Sequence, residues 1–154
     1  MQNHPNVLAV RAALGGSAPE MVIFDEGVHT AAAAAAALSV EVGQIANSLI
    51  FDADGEPLLV LTSGAHRVDT AKLAAALGLA KLGRATPEFV REHTGQAIGG
   101  VAPLGHPKPV RTIVDTALAR YDKIWAAGGV PRAVFPITYD ELLRVTGGTP
   151  MDVA

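Results

Sequence analysis

The sequence predicts an α+β fold in one domain that covers residues 1–154, and three observations lead to this prediction. Helical and strand-like patterns alternate along the chain, so both kinds of element contribute to one core. The dipeptide Asp54-Gly55 joins two apolar runs, which is typical of a two-residue hairpin turn. No linker, charge block or internal repeat divides the 154 residues, and this length favours a single domain.

Each element follows from a local pattern and its end signals. The expected helices are 5–14, 31–38, 69–78, 86–95 and 138–148, and the expected strands are 21–24, 45–52, 57–63, 110–115, 123–127 and 132–137. The first helix is expected to end at Gly15-Gly16. Side-chain oxygens that accept from unpaired amides of a first turn are expected to start the other helices, at Thr30, Asp69, Thr86 and Thr138.

Composition indicates a folded protein without covalent cross-links. Hydrophobic residues make up 49% of the chain and charged residues 18%, which excludes a disordered sequence. No cysteine is present, which excludes disulfides, thiolate catalysis and cysteine-ligated zinc. No signal peptide is recognised, and the apolar run 31–38 is far shorter than the ~20 residues that span a membrane. We therefore expect a cytoplasmic protein with no membrane partner.

The charge balance argues against a surface that grips duplex nucleic acid. The formal net charge is −3, and the basic residues occur in small groups such as His66 with Arg67 and Lys108 with Arg111. Extended binding to a duplex usually requires a basic face. DNA is therefore not expected as a partner, whereas the end of a single strand is a candidate ligand.

The histidines do not form a metal motif, so neither a metal nor a cofactor is expected. They occur at 4, 29, 66, 93 and 106 without H-E-x-x-H or paired spacing. Polar residues at element ends are better candidates, because functional side chains collect there. They are Thr30, Asn47, Ser48, Ser63, His66 and His106. Asn47 and Ser48 alternate along one strand, so at most one of them is expected to face a shared pocket.

A glycine-rich stretch at 97–109, AIGGVAPLGHPKP, is a candidate ligand-binding loop. It does not follow a strand and open a helix, so it is not a phosphate-binding P-loop. The consecutive amides of Gly99, Gly100 and Val101 can form a concavity that holds a carbonyl oxygen or an anion. Pro103 would stiffen the loop. A plain structural turn is the alternative interpretation.

Three motifs occur along the chain in this order: VGQIANSLIFDADGEPLLVLTSGAHRVD, AIGGVAPLGH, and WAAGGVPRAVF followed by DELLRVTGG. Their order resembles the YbaK family, which includes the editing domain of bacterial prolyl-tRNA synthetases and its free-standing relatives. The resemblance covers about residues 30–148 and implies a compact α/β fold with a mixed, partly barrel-like sheet and surrounding helices. It also implies hydrolysis, in trans, of the ester in mischarged aminoacyl-tRNA. The implied partners are the aminoacyl-tRNA 3′ end and a synthetase, and in this family the G-x-x-x-P loop, here Gly99 to Pro103, lies beside the aminoacyl ester and the terminal adenosine.

The chain departs from the family pattern at two places. The family usually has a lysine in the strand after the alanine-rich helix, where this chain has Asn47. Many members have an aspartate in a late Gly-Leu-Asp stretch, and the corresponding residues 131–135 contain no carboxylate. An asparagine offers only neutral hydrogen bonds, and charge-assisted ones are roughly twice as strong. Substrate binding or catalysis is therefore weakened unless His66, Arg67 or Lys108 compensates.

The resemblance and the loop chemistry together give an expected site. The catalytic set is Gly99, Gly100, Val101, Pro103, His106 and Asn47, and the substrate-binding set is Thr30, Ser63, His66, Arg67, Ala102, Lys108, Gly128 and Gly129. The loop amides would stabilise a tetrahedral oxyanion. Water would be activated by the substrate's ribose hydroxyl or α-amine, or by His106 if it faces the pocket. The alternative for His106 is a hydrogen bond to the backbone.

Three functions are compatible with these residues. The first is a trans-editing deacylase, and the small side chains around the loop favour alanine, serine or threonine esters. The second is a module that binds tRNA or a synthetase without turnover, which the loss of a charge at Asn47 favours. The third is a hydrolase of another small ester or amide that uses the same loop.

Overall fold

The computed structural model describes residues 3–15 and 21–154, and over these residues the predicted helices and strands are confirmed. The helices are α1 (Pro5–Leu14), α2 (Ala31–Leu38), α3 (Thr70–Leu77), α4 (Pro87–Thr94) and α5 (Tyr139–Thr146). The strands are β1 (Val22–Ile23), β2 (Ile45–Ala53), β3 (Glu56–Ser63), β4 (Leu82–Arg84), β5 (Arg111–Asp115), β6 (Ile124–Ala127), β7 (Ala133–Ile137) and β8 (Thr149–Met151). Two 3-10 helices span Val42–Gln44 and Thr116–Arg120. Gly16, expected with Gly15 to end the first helix, lies outside the described residues.

The strands β4 and β8 were not predicted. Each has three residues, and their sequences LGR and TPM contain a glycine and a proline, which are depleted in strands. They form because longer strands offer an open edge: β4 pairs with the end of β2, and β8 pairs in parallel with β5. Tertiary pairing therefore determines these two strands.

Side-chain caps begin the helices as expected. The side chains of Thr30, Asp69, Thr86 and Thr138 each accept a hydrogen bond from the amide three residues on, at 3.0 to 3.2 Å. The helix α1 has a cap that was not predicted, since Nδ1 of His4 accepts from the Asn6 amide at 3.1 Å. These caps fix where α2 and α4 begin, close to the residues of the site.

All eight described strands form one mixed sheet in the order β1-β7-β6-β2-β3-β5-β8, with β4 added beside β2. The hairpin of β2 and β3 aligns Ala46 with Ser63 at its open end. At its closed end Asp54 has φ 51° and Gly55 has φ 94°. Two successive residues in the left-handed region are what a type I′ turn requires, so the predicted hairpin is confirmed.

The second edge of β2 is shared between two partners, which leaves a gap. At one end β6 pairs in parallel with Ile45 and Ala46, through residues 125–126. At the other end β4 pairs with residues 51–53. Between these ladders residues 47–50 pair with no described strand on this edge, because β6 continues beside β7 instead. The sheet therefore splits beside the middle of β2.

Hydrophobic clusters cover both faces of the sheet. Alternating residues of β3 divide between the two larger clusters, so these clusters lie on opposite faces. One contains Phe135 and the loop residues 101–104, and the other contains Leu73 of α3. A third, small cluster packs α2 on Ile45 and Trp125. None of the described helices is long and apolar enough to cross a membrane.

Candidate active site

A cavity of about 50 Å³ lies where β2 and β6 separate. Its walls come from the start of α2, the segment 28–30 before it, the glycine loop, and the turn that leads into β7. Six alanines contribute small side chains to the wall, Ala31, Ala34, Ala46, Ala126, Ala127 and Ala133. The indole of Trp125 closes one side. The cavity is therefore small and largely apolar, with polar groups confined to part of its wall.

Gly99 and Val101 of the glycine loop contribute to the rim of this cavity. Gly99 has φ 90°, in the left-handed region that favours glycine. Neither the Gly99 amide nor the Val101 amide donates a hydrogen bond to a described residue. These two N–H groups are therefore available to a ligand at the rim.

Gly100 has a different role from its neighbours. Its amide donates to the Ala97 carbonyl oxygen at 2.9 Å, so the expected set of three free amides is reduced to two. A Cβ atom on Gly100 would lie 2.8 Å from backbone atoms of Val130 and Pro131. Glycine at this position lets the loop approach the turn before β7, beside the cavity wall formed by Gly99, Val101 and Pro131.

The back of the loop is held by buried hydrogen bonds. Oε1 of the buried Gln96 accepts from the Ala102 amide at 2.8 Å. The Ala102 carbonyl oxygen lies 2.9 Å from Nε2 of His106, and this nitrogen must carry the proton because a carbonyl oxygen only accepts. Pro103 is also buried. Both polar groups of the Ala102 backbone are therefore used within the loop.

His106 braces the loop and does not line the cavity. Burial lowers the pKa of His106 below its usual value, and the hydrogen bond to Ala102 opposes this shift only in part. Because Nε2 is already a donor, it cannot accept a proton from water. Nδ1 remains as an acceptor, but His106 does not line the cavity, so its position agrees with the alternative, a histidine bonded to the backbone. Ala102, expected to contact substrate, packs behind the loop.

Asn47 and Ser48 both line the cavity, although only one of them was expected to do so. The expectation assumed a continuous sheet, whereas the cavity opens at the strand edge, where successive residues are both accessible. Oγ of Ser48 is buried without a described hydrogen-bond partner, and so is Nε1 of Trp125. Buried polar atoms without partners are rare and commonly mark the position of a water or a ligand. Together with the Asn47 amide, these two atoms contribute polar groups to the wall.

His29 also lines the cavity, and sequence reasoning did not include it in the site. A Cβ atom on Gly99 would lie 3.0 Å from Nδ1 of His29, so the imidazole lies against the glycine loop. The position of His29 depends on a long-range contact, the hydrogen bond from the Val28 amide to the Pro131 carbonyl at 2.9 Å. Thr30 follows it in the wall, with its hydroxyl engaged as the cap of α2.

Ser63 and His66 belong to a separate network at the end of β3. Oγ of Ser63 donates to the Gly43 carbonyl at 2.9 Å, and Nδ1 of His66 lies 2.9 Å from Oδ2 of Asp115. Asp115 is fully buried and accepts from the Ser63 amide at 3.0 Å. Neither Ser63 nor His66 lines the cavity, so both serve the packing of β3 on β5. Within the described residues no group of three His, Asp or Glu side chains is placed to hold a metal.

The remaining expected substrate contacts also lie outside the cavity. Arg67 and Lys108 are exposed and do not line it. A Cβ atom on Gly128 would lie 2.9 Å from the sulfur of Met21, and the carbonyl of Gly129 accepts from Nδ2 of Asn6 at 3.2 Å. The two glycines therefore support the packing of the turn before β7 against its neighbours.

A second cavity, of about 280 Å³, adjoins the first along the free edge of β2. The two cavities share Ser48 and Val101. The second is mostly apolar, with Phe51 and the exposed Ile98 in its wall and the exposed Arg84 beside them. The small cavity, the loop and a cationic side chain therefore lie next to one another along this edge.

Comparisons with known proteins match this chain to one family. The aminoacyl-tRNA editing domain family matches residues 25–145. The proline–tRNA ligase of Nitratidesulfovibrio vulgaris strain Hildenborough is 36% identical over 102 residues, which cover 66% of this chain and 18% of the ligase. Protein YwhH of Bacillus subtilis strain 168 is 30% identical over 120 residues, which cover 77% of this chain and 76% of YwhH. The chain thus spans less than a fifth of the ligase and about three quarters of YwhH.

A solved structure agrees with these matches. The crystal structure of a candidate trans-editing enzyme for prolyl-tRNA synthetase has a TM-score of 0.90 and 42% sequence identity to this chain. The superposition covers 97% of both chains. The mixed sheet and its helices are thus shared over nearly the whole length.

Proposed function

The chain belongs to the aminoacyl-tRNA editing domain family, and we propose that it is a deacylase that hydrolyses the ester of mischarged aminoacyl-tRNA in trans. The observation that carries this proposal is the position of two free amides, those of Gly99 and Val101, at the rim of a small cavity. An acyl group that enters the cavity would present its ester carbonyl to these amides. The relatives named as proline–tRNA ligases favour prolyl-tRNA as the carrier.

The size of the cavity favours a small amino acid. Its volume of about 50 Å³ is a few times the roughly 10–15 Å³ that a single water needs, so it has space for a short side chain. The alanine methyl groups and the indole of Trp125 line this space and favour a short side chain over a long one. Esters of alanine, serine and threonine are therefore the expected substrates.

The loop supplies electrostatic stabilisation of the transition state. Attack on the ester carbonyl places a negative charge on its oxygen, and amides fixed in advance stabilise this charge without reorganisation. Losing one such donor costs about 2.7–4 kcal/mol of transition-state stabilisation in characterised enzymes. The hydrogen bonds of Gln96 and His106 to Ala102 keep the rim rigid from behind.

The second cavity is suited to the terminal nucleoside of the tRNA. It is large enough for a base, its wall is apolar, and Phe51 provides an aromatic ring in it. Arg84 beside it can pair with a backbone phosphate. The net charge of −3 indicates weak and salt-sensitive affinity for the rest of the tRNA, which a synthetase partner would supplement.

Deacylation of a panel of mischarged tRNAs tests this function. Alanine, serine and threonine esters on prolyl-tRNA and on their cognate tRNAs are incubated with the protein in the presence of a chelator. We expect turnover of at least one small ester and none of prolyl-tRNA charged with proline. Cleavage of small activated esters without any tRNA would instead indicate the third function, a general ester hydrolase.

The binding module is the second candidate, and Asn47 is the observation that favours it. Asn47 lines the cavity with a neutral amide where the family usually has a lysine. No turnover of any ester by a folded protein that still binds tRNA would support this candidate and contradict the deacylase. Asn47→Lys is expected to raise turnover if this position contacts substrate, because it adds a charge-assisted hydrogen bond. Ala76→Lys, on the exposed side of α3, adds the same charge away from the cavity and is the control.

A further inference from the structure

We propose that His29 is the catalytic residue that accepts the proton of the attacking water in this cavity. This inference rests on the proposed deacylase function and assigns a role that the loop amides cannot fill. Those amides donate hydrogen bonds, whereas activation of a water requires an acceptor of its proton.

His29 is the one ionisable side chain among the described residues that line the cavity. The other polar side chains in the wall are the neutral groups of Thr30, Asn47, Ser48 and Trp125. Imidazole is the side chain that ordinarily exchanges a proton near neutral pH. A proton that moves to a protein group within this cavity therefore moves to His29.

The imidazole is positioned by two glycines and is not engaged elsewhere. A Cβ atom would lie 3.0 Å from Nδ1 if added to Gly99, and 2.9 Å from Nε2 if added to Gly27. The ring, which is exposed to solvent, thus lies close to both glycines. Neither ring nitrogen has a hydrogen bond to a described residue, whereas Nε2 of His106 is committed to Ala102. One glycine is on the loop that supplies the free amides, so the base and the oxyanion donors lie side by side.

The charged groups around His29 lie on the segment before it and on the neighbouring turns. Asp25 and Glu26 precede it on the same segment and are exposed. Arg132, on the turn that packs against this segment, donates through Nε to the Phe24 carbonyl at 2.8 Å. Lys123 lies over the outer ring of Trp125, 5.8 Å from its centroid. None of the four lines the cavity, and α2 and residues 97–101 contain no ionisable side chain.

The proposed step balances as an ester hydrolysis. The water oxygen attacks the carbonyl carbon while one proton passes to an imidazole nitrogen of His29, and the carbonyl oxygen becomes an oxyanion beside the Gly99 and Val101 amides. The bond from the carbonyl carbon to the ribose oxygen then breaks, and the imidazolium returns the proton to that oxygen. The products are the free amino acid and a tRNA with its terminal hydroxyl restored.

The test compares His29→Gln with the wild type on the small ester that the panel identifies. Glutamine keeps a neutral hydrogen-bonding side chain and removes the proton acceptor. We expect kcat to fall by about 10²–10⁴-fold, the usual contribution of general base catalysis, with KM nearly unchanged. Added imidazole should restore part of the rate of His29→Ala, which leaves space for it.

His93→Ala is the matched control, because His93 packs on Phe89 of α4 away from the cavity and its loss should leave kcat unchanged. Thermal melting establishes that each variant is folded. An active wild type with an equally active His29→Gln would overturn the role of His29 and leave the deacylase intact. A rise in KM at constant kcat would also overturn it, since His29 would then only bind substrate. An inactive wild type would contradict the deacylase and, with it, this inference.

Gly27→Ala provides a second test that leaves the imidazole chemistry in place. The added methyl would displace the ring, and its other close neighbour is Cβ of Pro131 at 3.4 Å. We expect a large fall in kcat in the wild type and little further fall in His29→Gln, because both changes remove one interaction. Equal falls in both backgrounds would show that Gly27 acts on the fold and does not position His29.

Discussion

The two sides of the glycine loop differ in how their polar groups are satisfied. On the inner side Gln96 and His106 hold both backbone groups of Ala102 at 2.8 and 2.9 Å. On the cavity side the amides of Gly99 and Val101 have no described partner. Satisfied buried groups make a loop rigid, and unsatisfied ones are costly unless a ligand uses them. One face of this short segment is therefore held rigid, and the other keeps hydrogen-bond donors for a ligand.

Gly100→Ala should have the largest effect on the loop, because it changes the position of the whole segment. The added Cβ would lie 2.8 Å from backbone atoms of Val130 and Pro131, so the loop must move away from the turn. We expect about 1–3 kcal/mol of lost stability, as for other overpacked sites, and loss of most deacylase activity. Urea unfolding and tRNA deacylation measure the two effects.

Gly83→Ala is the control for this substitution. Its Cβ would meet nothing closer than Cε of Lys81 at 3.5 Å, so it should be tolerated. Similar losses in both variants would mean that the loop does not depend on the close approach of Gly100.

Gln96→Leu should loosen the loop from its inner side. The substitution leaves the Ala102 amide buried without an acceptor, which costs about 1–3 kcal/mol. Gln44→Leu removes two exposed hydrogen bonds, from Nε2 to the Lys123 carbonyl and from the Glu41 amide to Oε1, and should cost less because water can replace them. The denaturant midpoints of the two variants give the stability lost in each. Equal losses would contradict a stabilising role for the buried hydrogen bond of Gln96.

His106 should make the protein sensitive to acid. Because burial lowers its pKa in the folded state, the unfolded chain binds more protons below about pH 6.5, the usual histidine pKa. Stability should therefore fall as the pH decreases through this range. His106→Gln should show a shallower loss over the same range, measured as the difference between the two stability profiles. Parallel profiles would argue against His106 as the source.

Arg84→Gln should have the smallest effect, and it tests binding at the second cavity, on the cavity side of the loop. Arg84 is exposed beside the second cavity, so a contact with phosphate is worth about 0.2–1 kcal/mol, or at most about fivefold in KM. The difference from the wild type should shrink as salt is added. A fall in kcat instead would place Arg84 in the chemistry and contradict its assignment to tRNA binding.

Local patterns were sufficient to predict most of the fold. The caps at Thr30 and Thr86 and the turn at Asp54-Gly55 each depend on residues a few positions apart, and all are confirmed. The short strands β4 and β8 were missed because they depend on pairing with distant strands. Local sequence signals therefore determine the long elements, whereas pairing at the edges of the sheet determines the short strands.

The site was harder to predict because its residues meet through tertiary contacts. The loop and Asn47 were identified from residue type and family resemblance, and they line the cavity. His29 was missed because only the packing of its segment on the Pro131 turn brings it there. Whether His106 faces the pocket was left open, because the direction of a loop side chain cannot be read from spacing, and the structure places it outside the cavity lining.

The division of the sheet has a mechanical consequence. β2 pairs with β3 through eight residue pairs but with β6 through two. The sheet therefore has two parts, here called leaves, one containing β2 and β3 and the other containing β6 and β7. The two residue pairs between β2 and β6 form the short seam where the leaves meet. A seam of this length opens at a lower free energy than either leaf unfolds, and its amides should exchange with solvent faster than those of the hairpin. The smaller cavity lies at this seam, so small movements of one leaf against the other change its width.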